Sequence, residues 1–533
     1  MPNQSARGIK PPAINPWFVA VTVTIAAFME LLDTSIANVA LPYIGGGLGR
    51  SYDEVTWILT TYLVANAVIL PMSAWLSRML GRKTYYLLCI VLFTGASLLC
   101  GLAPSLNVML IARIIQGIGG GGLAPVAQAI LVDTLPPAKR AAAFALYTVV
   151  IVTAPAVGPV LGGWITDNYN WRWIFFINVP VGLLALYLSN RLIHDPEAFT
   201  AERLAAKQQG RLSIDGLGIT LITLASAALE IALDRGQIDD WFNDRLITTM
   251  IAVAIVGWIA TIAWELYVKD PIIDFRLLKS RNFAIAVTLL FVFGITLFGT
   301  TNLIPQMLQQ VYGYRAIDAG LVLGPGAFVI TLLAPVSAQL LQRRLVSPKI
   351  LLSASMSIVG LALFVYSMMN LDTNASHYRW ERMLQASGYG IFLVPVNILA
   401  YSQLRPDQNN KASSLTNLFR NWGGSFGIAF VTTEATRRQD FHQSNLISHL
   451  DSGSQALQQM TRTLTDYLMQ HGFTKADAGS GVLGVVYSQI ERQSLFQAFA
   501  DCFVIMGWLT LAMIPVVLAI RSVKSAGSNV SAH

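Results

Sequence analysis

The chain has 533 residues, 54% of them hydrophobic and 12% charged, about half the roughly 25% charged content of an average soluble domain. That shortage excludes an ordinary soluble enzyme or binding module, because charge is what hydrocarbon rejects. A net charge of +7 does not indicate nucleic acid, since Lys and Arg sit between apolar segments and form no single patch.

In chain order, Arg7, Lys10, Pro11 and Pro12 precede an apolar run too long for a signal-peptide core. That run is expected to remain as the first span. A span needs about 20 mostly apolar residues. Fourteen segments qualify: 17–40, 55–76, 85–103, 106–131, 141–165, 173–189, 216–233, 246–268, 283–304, 319–341, 350–369, 383–401, 415–431 and 502–520. The expected fold is therefore an all-α polytopic membrane protein.

Span 1 carries Glu30 and Asp33, and an intramembrane charge costs about 2.5–3.5 kcal/mol at a helix centre. Their i, i+3 spacing puts both on one face with Ala26, Thr34 and Ala37. Ile25, Phe28, Leu32, Ile36 and Val39 form the opposite, lipid-like face. A basic loop with Arg78, Gly81, Arg82 and Lys83 follows span 2.

Span 4 repeats the two-faced pattern. Arg113, Gln116, Gly117, Gly120, Ala124, Ala127 and Gln128 share a face, with Ile111, Ile115, Ile118 and Val126 opposite. Asp33 and Arg113 both lie about seven residues from the outer end of their spans, roughly 10 Å deep. They are expected to meet, either as a structural ion pair or as part of a proton site. Thr34, Asn38, Gln116 and Gln128 are the polar side chains expected to line a substrate cavity.

Gly117, Gly119 and Gly122 match GxGxxG, but no strand precedes them and they sit in a span, so no nucleotide site is expected. No GxxxxGK[ST] occurs, so an ion gradient is the expected energy source and no cofactor is expected. Span 5 places Ala154, Gly158 and Gly162 at four-residue intervals, which permits close helix approach, and Pro155 and Pro159 add bends. Cys89, Cys100 and Cys502 form no CxxC and imply neither a disulfide framework nor a zinc site. Residues 194–211 form a polar linker, and 432–499 a long connection whose end, 482–499, has the pattern of an amphipathic helix.

With the N-terminus inside, the eight inner segments hold 22 of the 36 Lys and Arg, the six short outer loops 7 and the long outer loop 5. This is the asymmetry of the positive-inside rule, and it favours an even span count with both termini inside. Pro71-Met-Ser-Ala-Trp-Leu76 in span 2 resembles Pro335-Val-Ser-Ala-Gln-Leu340 in span 10. Likewise Arg113, Gln116 and Gly119 are echoed by Arg382, Gln385 and Gly388. Two six-helix halves in parallel repeat follow, with two helices inserted between them. The expected division is 1–192, a linker 193–212, the inserted pair 213–280, and a second half 281–533.

These residues resemble the fourteen-spanner drug:proton antiporters of the major facilitator superfamily, and EmrB-type exporters most of all. The resemblance rests on Leu32 to Pro42, Arg113 to Gly121, the Gly158, Pro159, Gly162 and Gly163 motif, Trp171 to Pro180, and Leu233 to Gly236. The inner loop departs from the superfamily pattern: Ala74 replaces its leading glycine and Arg78 its acid. The resemblance implies a proton-coupled exporter of hydrophobic or amphipathic compounds in the bacterial inner membrane. Glu30, Asp33 and Arg113 would serve coupling, and the glycine–proline motif would favour exchange over symport. It further implies a tripartite system with an EmrA-like periplasmic adaptor and a TolC-like outer-membrane channel, and no nucleic-acid partner. A narrow exporter of one metabolite, siderophore or fatty acid is the alternative; a non-transporting sensor would not need the three charged residues together.

Overall fold

Hydrocarbon offers no hydrogen-bond partners, so a chain this apolar must satisfy its backbone internally. The computed structural model, which describes residues 15–136, 139–195, 200, 215–405, 408–448, 455–472 and 474–521, does so with helices. The first set is α1 (Pro16–Leu48), α2 (Tyr52–Leu80), α3 (Arg82–Leu102), α4 (Leu106–Thr134), α5 (Arg140–Asn168), α6 (Trp173–Phe176) and α7 (Asn178–Leu192). Next come α8 (Gly216–Arg235) and α9 (Arg245–Tyr267). The last set is α10 (Arg281–Gln310), α11 (Ala316–Gln342), α12 (Pro348–Ser367), α13 (Ala375–Tyr401), α14 (Asn409–Ser448), α15 (Gln455–Gln470), α16 (Lys475–Leu511) and α17 (Ile514–Leu518).

Local chemistry sets several ends. Asn15 caps α1, with Pro16 at its first position. Ser51 and Glu54 form a reciprocal capping box on α2. Gly81, at φ +92°, ends α2 and turns the chain into α3.

Twelve helical segments among the described residues are long and apolar enough to span a membrane, and α5 makes thirteen. It bends by 40° between Pro155 and Val157, where the two prolines interrupt its ladder. The expected thirteenth span, within α14, does not qualify by composition. Its Ser413, Ser414, Thr416, Asn417 and Arg420 are buried, so these polar side chains face protein.

The packing repeats. In the first set α1 packs on α5, α2 and α3 on α4, and α3 on α7. In the last set α10 packs on α14, α11 and α12 on α13, and α12 on α16. Each label has moved by nine. The two sets meet along α5–α11 and α2–α14, contacts that the repeat exchanges. The inserted α8 and α9 pack on each other, with α8 against α2 and, less extensively, α14.

Three expectations change. Leu32 and Ile36 are buried among protein side chains while Ile25, Phe28 and Val39 are half-buried, so only part of that face of span 1 is turned outward. Most of 432–499 is helix: α14 continues to Ser448 and α16 starts at Lys475. His442 and Asp501 join the two at 2.9 Å, and Arg438 lies 2.7 Å from Glu434. Finally, α13 starts eight residues before the expected 383, which brings Arg382 inside the helix and buries it. The linker 194–211 lies mostly outside the described residues.

Glycines set the tightest crossings. A Cβ on Gly423 would fall on the Phe291 carbonyl, and one on Gly427 within 2.5 Å of the Ile295 carbonyl oxygen. Gly423→Val is therefore expected to cost about 1–3 kcal/mol by overpacking α10 against α14. Val256→Ala, on a 67% exposed side chain, should change little. Thermal unfolding of the purified protein in detergent compares the two.

Candidate transport site

The site is built on α1 and α4. Arg113, 0% exposed, donates from Nη1 to Asp33 Oδ2 at 2.7 Å and to Gln116 Oε1 at 2.7 Å. Its Nε donates to the Ile58 carbonyl at 3.1 Å, and its guanidinium lies 4.3 Å from the centre of the Tyr62 ring. Asp33 Oδ1 accepts from Gln116 Nε2 at 3.0 Å and from Asn178 Nδ2 at 2.6 Å. Gln116 Nε2 also reaches Ser97 Oγ at 2.8 Å. The expected meeting of Asp33 and Arg113 is thus present, with both carboxylate oxygens satisfied.

Glu30 is held differently. Its Oε1 accepts from Asn66 Nδ2 at 3.1 Å, while Oε2 is buried without a hydrogen-bond partner. One acid on this face is locked in an ion pair; the other has half its bonding capacity unused. Thr34 donates to the Glu30 backbone carbonyl at 3.3 Å. Asn38 is exposed, and no contact joins it to this cluster. Gln128 accepts from Asn417 Nδ2 at 2.7 Å and from Ser413 Oγ at 3.2 Å, so it bridges to α14.

The glycine–proline motif lies between α1 and α11. Gly158 abuts Ser35, whose hydroxyl donates to the Pro155 carbonyl at 2.9 Å, and Gly162 abuts Ile36. Pro159 and Val160 approach Gly320 of α11, while Gly163 has open space around its Cα. At the opposite end of α5, the basic loop ties helices together. Arg82 pairs with Asp133. Lys83 donates to the Asn190 carbonyl at 2.6 Å, and its backbone N–H to Asp195 at 2.8 Å. Arg78 is half-buried, its Nε lacking a hydrogen-bond partner. Asn409 of α14 donates to Asp133 at 2.7 Å.

Sequence reasoning missed several partners. Asn66, Ser97 and Asn178 carry no pattern that singles them out, although Asn178 lies in the Trp171 to Pro180 segment. The echo of Arg113 in Arg382 did signal a second site. Arg382 donates to Gln385 Oε1 at 2.7 Å, the same bond as in α4, and each arginine lies seven residues into its helix. In place of a carboxylate, the α10 partners are Thr300 and Thr301, at 3.2 and 3.3 Å. Glu230 and Asp234 were also missed; they lie on α8, Glu230 buried and Asp234 half-buried, bonded to Ser425 and Thr60.

The Major Facilitator Superfamily model matches residues 23–428. The chain belongs to the major facilitator superfamily. It is 35% identical over 506 residues to the multidrug export protein EmrB of Escherichia coli K12, covering 94% of each chain. It is 32% identical over 500 residues to the fatty acid resistance protein FarB of Neisseria gonorrhoeae, covering 94% of this chain and 95% of that one. The crystal structure of the human organic anion transporter MFSD10 shares the fold at a TM-score of 0.54 and 11% identity, over 94% of this chain and all of that one. This protein is thus a multi-pass membrane transporter of the EmrB type and not an enzyme.

Removing one partner of a buried ion pair costs about 3–5 kcal/mol, because the other charge stays uncompensated. Asp33→Asn should lower the unfolding midpoint in detergent markedly. Adding Arg113→Gln to it should recover part of the loss, which a double-mutant cycle by thermal unfolding measures.

Proposed function

We propose that this transporter exports hydrophobic or amphipathic compounds in exchange for protons, with Glu30 as the exchanging carboxyl and the Asp33–Arg113 pair as its fixed frame. The observation that carries this is the unequal treatment of two acids one helical turn apart. Asp33 accepts bonds from Arg113, Gln116 and Asn178, whereas Glu30 Oε2 has none. A carboxyl buried with spare bonding capacity can take and release a proton without dismantling its surroundings; one tied to a guanidinium cannot. The similarity to EmrB supports drug-like cargo.

The same reading takes fourteen spans with both termini in the cytoplasm of a bacterium and the pump in its inner membrane. The halves are 1–192 and 281–533, with 193–212 as linker and 213–280 as the inserted pair. The helical extension formed by the end of α14, α15 and the start of α16 is then periplasmic. It offers a docking element for an EmrA-like adaptor that leads to a TolC-like channel. The similarity to FarB favours fatty acids as a second, narrower class of cargo.

Proteoliposomes loaded with a pH-sensitive dye and given a proton gradient test this. Cationic dyes or long-chain fatty acids should trigger proton movement with the wild type and not with Glu30→Gln. Undiminished coupling in Glu30→Gln would move the proton site elsewhere. A response to fatty acids alone would select the narrow exporter.

A further inference from the structure

Glu30 lies on α1 in the first half, and a second buried charge faces it from the other half. Arg420 of α14 is 3% exposed. Its Nε is buried without a hydrogen-bond partner, and its Nη2 reaches only Asn421 Oδ1, at 3.5 Å. The guanidinium lies beside the Tyr147 hydroxyl of α5 and within electrostatic reach of the Glu30 carboxyl. Glu30 Oε2, Tyr147 Oη and Asn417 Oδ1 are likewise buried without partners. Four incompletely bonded polar groups thus come from three helices where the halves meet.

The surroundings of Glu30 single out Arg420. Asp33, on the same helix, is neutralised by Arg113. Tyr62 and Asn66 face it from α2, Tyr86 and Cys89 from α3, and Tyr147 from α5. Those side chains are neutral at physiological pH. Arg420 is the cation from the second half that faces Glu30.

Its position depends on the seam. The Arg420 carbonyl sits against Gly294, so the arginine travels with α10. One to two turns away, α14 is fastened to the first half. Asn417 donates to Gln128 at 2.7 Å, Ser413 to the Pro125 carbonyl at 2.7 Å, and Ser414 to the Leu70 carbonyl at 2.9 Å. Breaking those bonds separates Arg420 from Glu30.

We propose that Arg420 is the counter-charge of Glu30, supplied by the opposite half, so that closure of the α14 seam drives the proton off Glu30 and opening of the seam lets it return. This rests on Glu30 being the exchanging carboxyl. A cation beside a carboxyl favours its ionised form, and an apolar site without one favours the neutral acid. Seam geometry and proton occupancy then become one equilibrium, which substrate shifts by binding one arrangement better.

The test is the pH profile of substrate-driven proton release in proteoliposomes for the wild type, Arg420→Gln, Arg420→Lys, Glu30→Gln and Glu30→Gln/Arg420→Gln. Arg420→Gln should move the profile toward higher pH by about one unit or more. Arg420→Lys should restore most of it, and Glu30→Gln should release no protons with or without Arg420. An Arg420→Gln profile that overlays the wild type overturns the proposal, and proton release that persists in Glu30→Gln overturns the reading of Glu30 beneath it. A wild type that releases no protons with any substrate instead overturns the coupling reading beneath it. Should Arg420→Gln not fold, Glu30→Lys/Arg420→Glu must recover folded protein that each single reversal loses; failure to recover it overturns the pairing.

Discussion

Everything in the first half is arranged around one buried ion pair. Two charges in a medium of low polarity lose far more hydration than their attraction returns unless every remaining lone pair and proton is matched. Five helices contribute to that matching, which among the pair's own polar atoms leaves only Nη2 of Arg113 buried without a hydrogen-bond partner. α1 supplies Asp33 and α4 supplies Arg113 and Gln116; α2 adds the Ile58 carbonyl and the Tyr62 ring; α3 adds Ser97 and α7 adds Asn178. α1 and α4 cannot slide past each other by a turn without stranding a charge. The pair therefore acts as a register pin for the first set of helices. The second half has no such pin at the repeated position. There Arg382 and Gln385 keep their bond, but Thr300 and Thr301 replace the carboxylate.

The seam between halves is built from weaker materials. One of its bonds, from Asn409, reaches the Asp133 carboxylate, and most join amides, hydroxyls and backbone carbonyls, as in Gln128 with Asn417 and Ser414 with Leu70. Each such bond contributes about 0.5–1.5 kcal/mol net, far less than breaking the buried pair costs. Small residues let the contacting helices approach closely, as where Gly320 meets Pro159 and Val160. Charge-based fastening within the first half and mostly neutral fastening at the seam are compatible with rocking of one half against the other.

Much of this was legible in the sequence because hydrocarbon makes placement strict. A charge inside an apolar run has few tolerable environments, so Glu30, Asp33 and Arg113 declared themselves, and helical periodicity put the acids on one face. The parallel repeat showed in short echoes, and the packing pattern reproduces it. Neutral partners were not legible. Asn66, Ser97 and Asn178 acquire their importance from what lies opposite them, which spacing along one helix cannot reveal. Span 13 looked weakest because hydropathy assumes a lipid neighbour, whereas Asn417 and Arg420 face protein. In the connection 432–499 only the end, 482–499, showed a helical pattern, because the other helices carry the polar composition of solvent-facing surfaces, which resembles that of loops.

The inserted pair then finds a physical place. α8 presents two acids on one face, Glu230 to Ser425 of α14 and Asp234 to Thr60 of α2. It therefore touches both halves at the α2–α14 seam. Its grip is unequal, because α2 also receives Arg235 through Thr56 at 2.9 Å and through the Trp57 ring at 4.9 Å. Should the seam open, a helix bound more extensively to α2 stays with it, and its contact with α14 through Ser425 is the one to break or slide. A single hydroxyl on a carboxylate can exchange partners in a way a guanidinium pair cannot. The insertion thus grips α2 more firmly than α14 and bridges the seam without locking it.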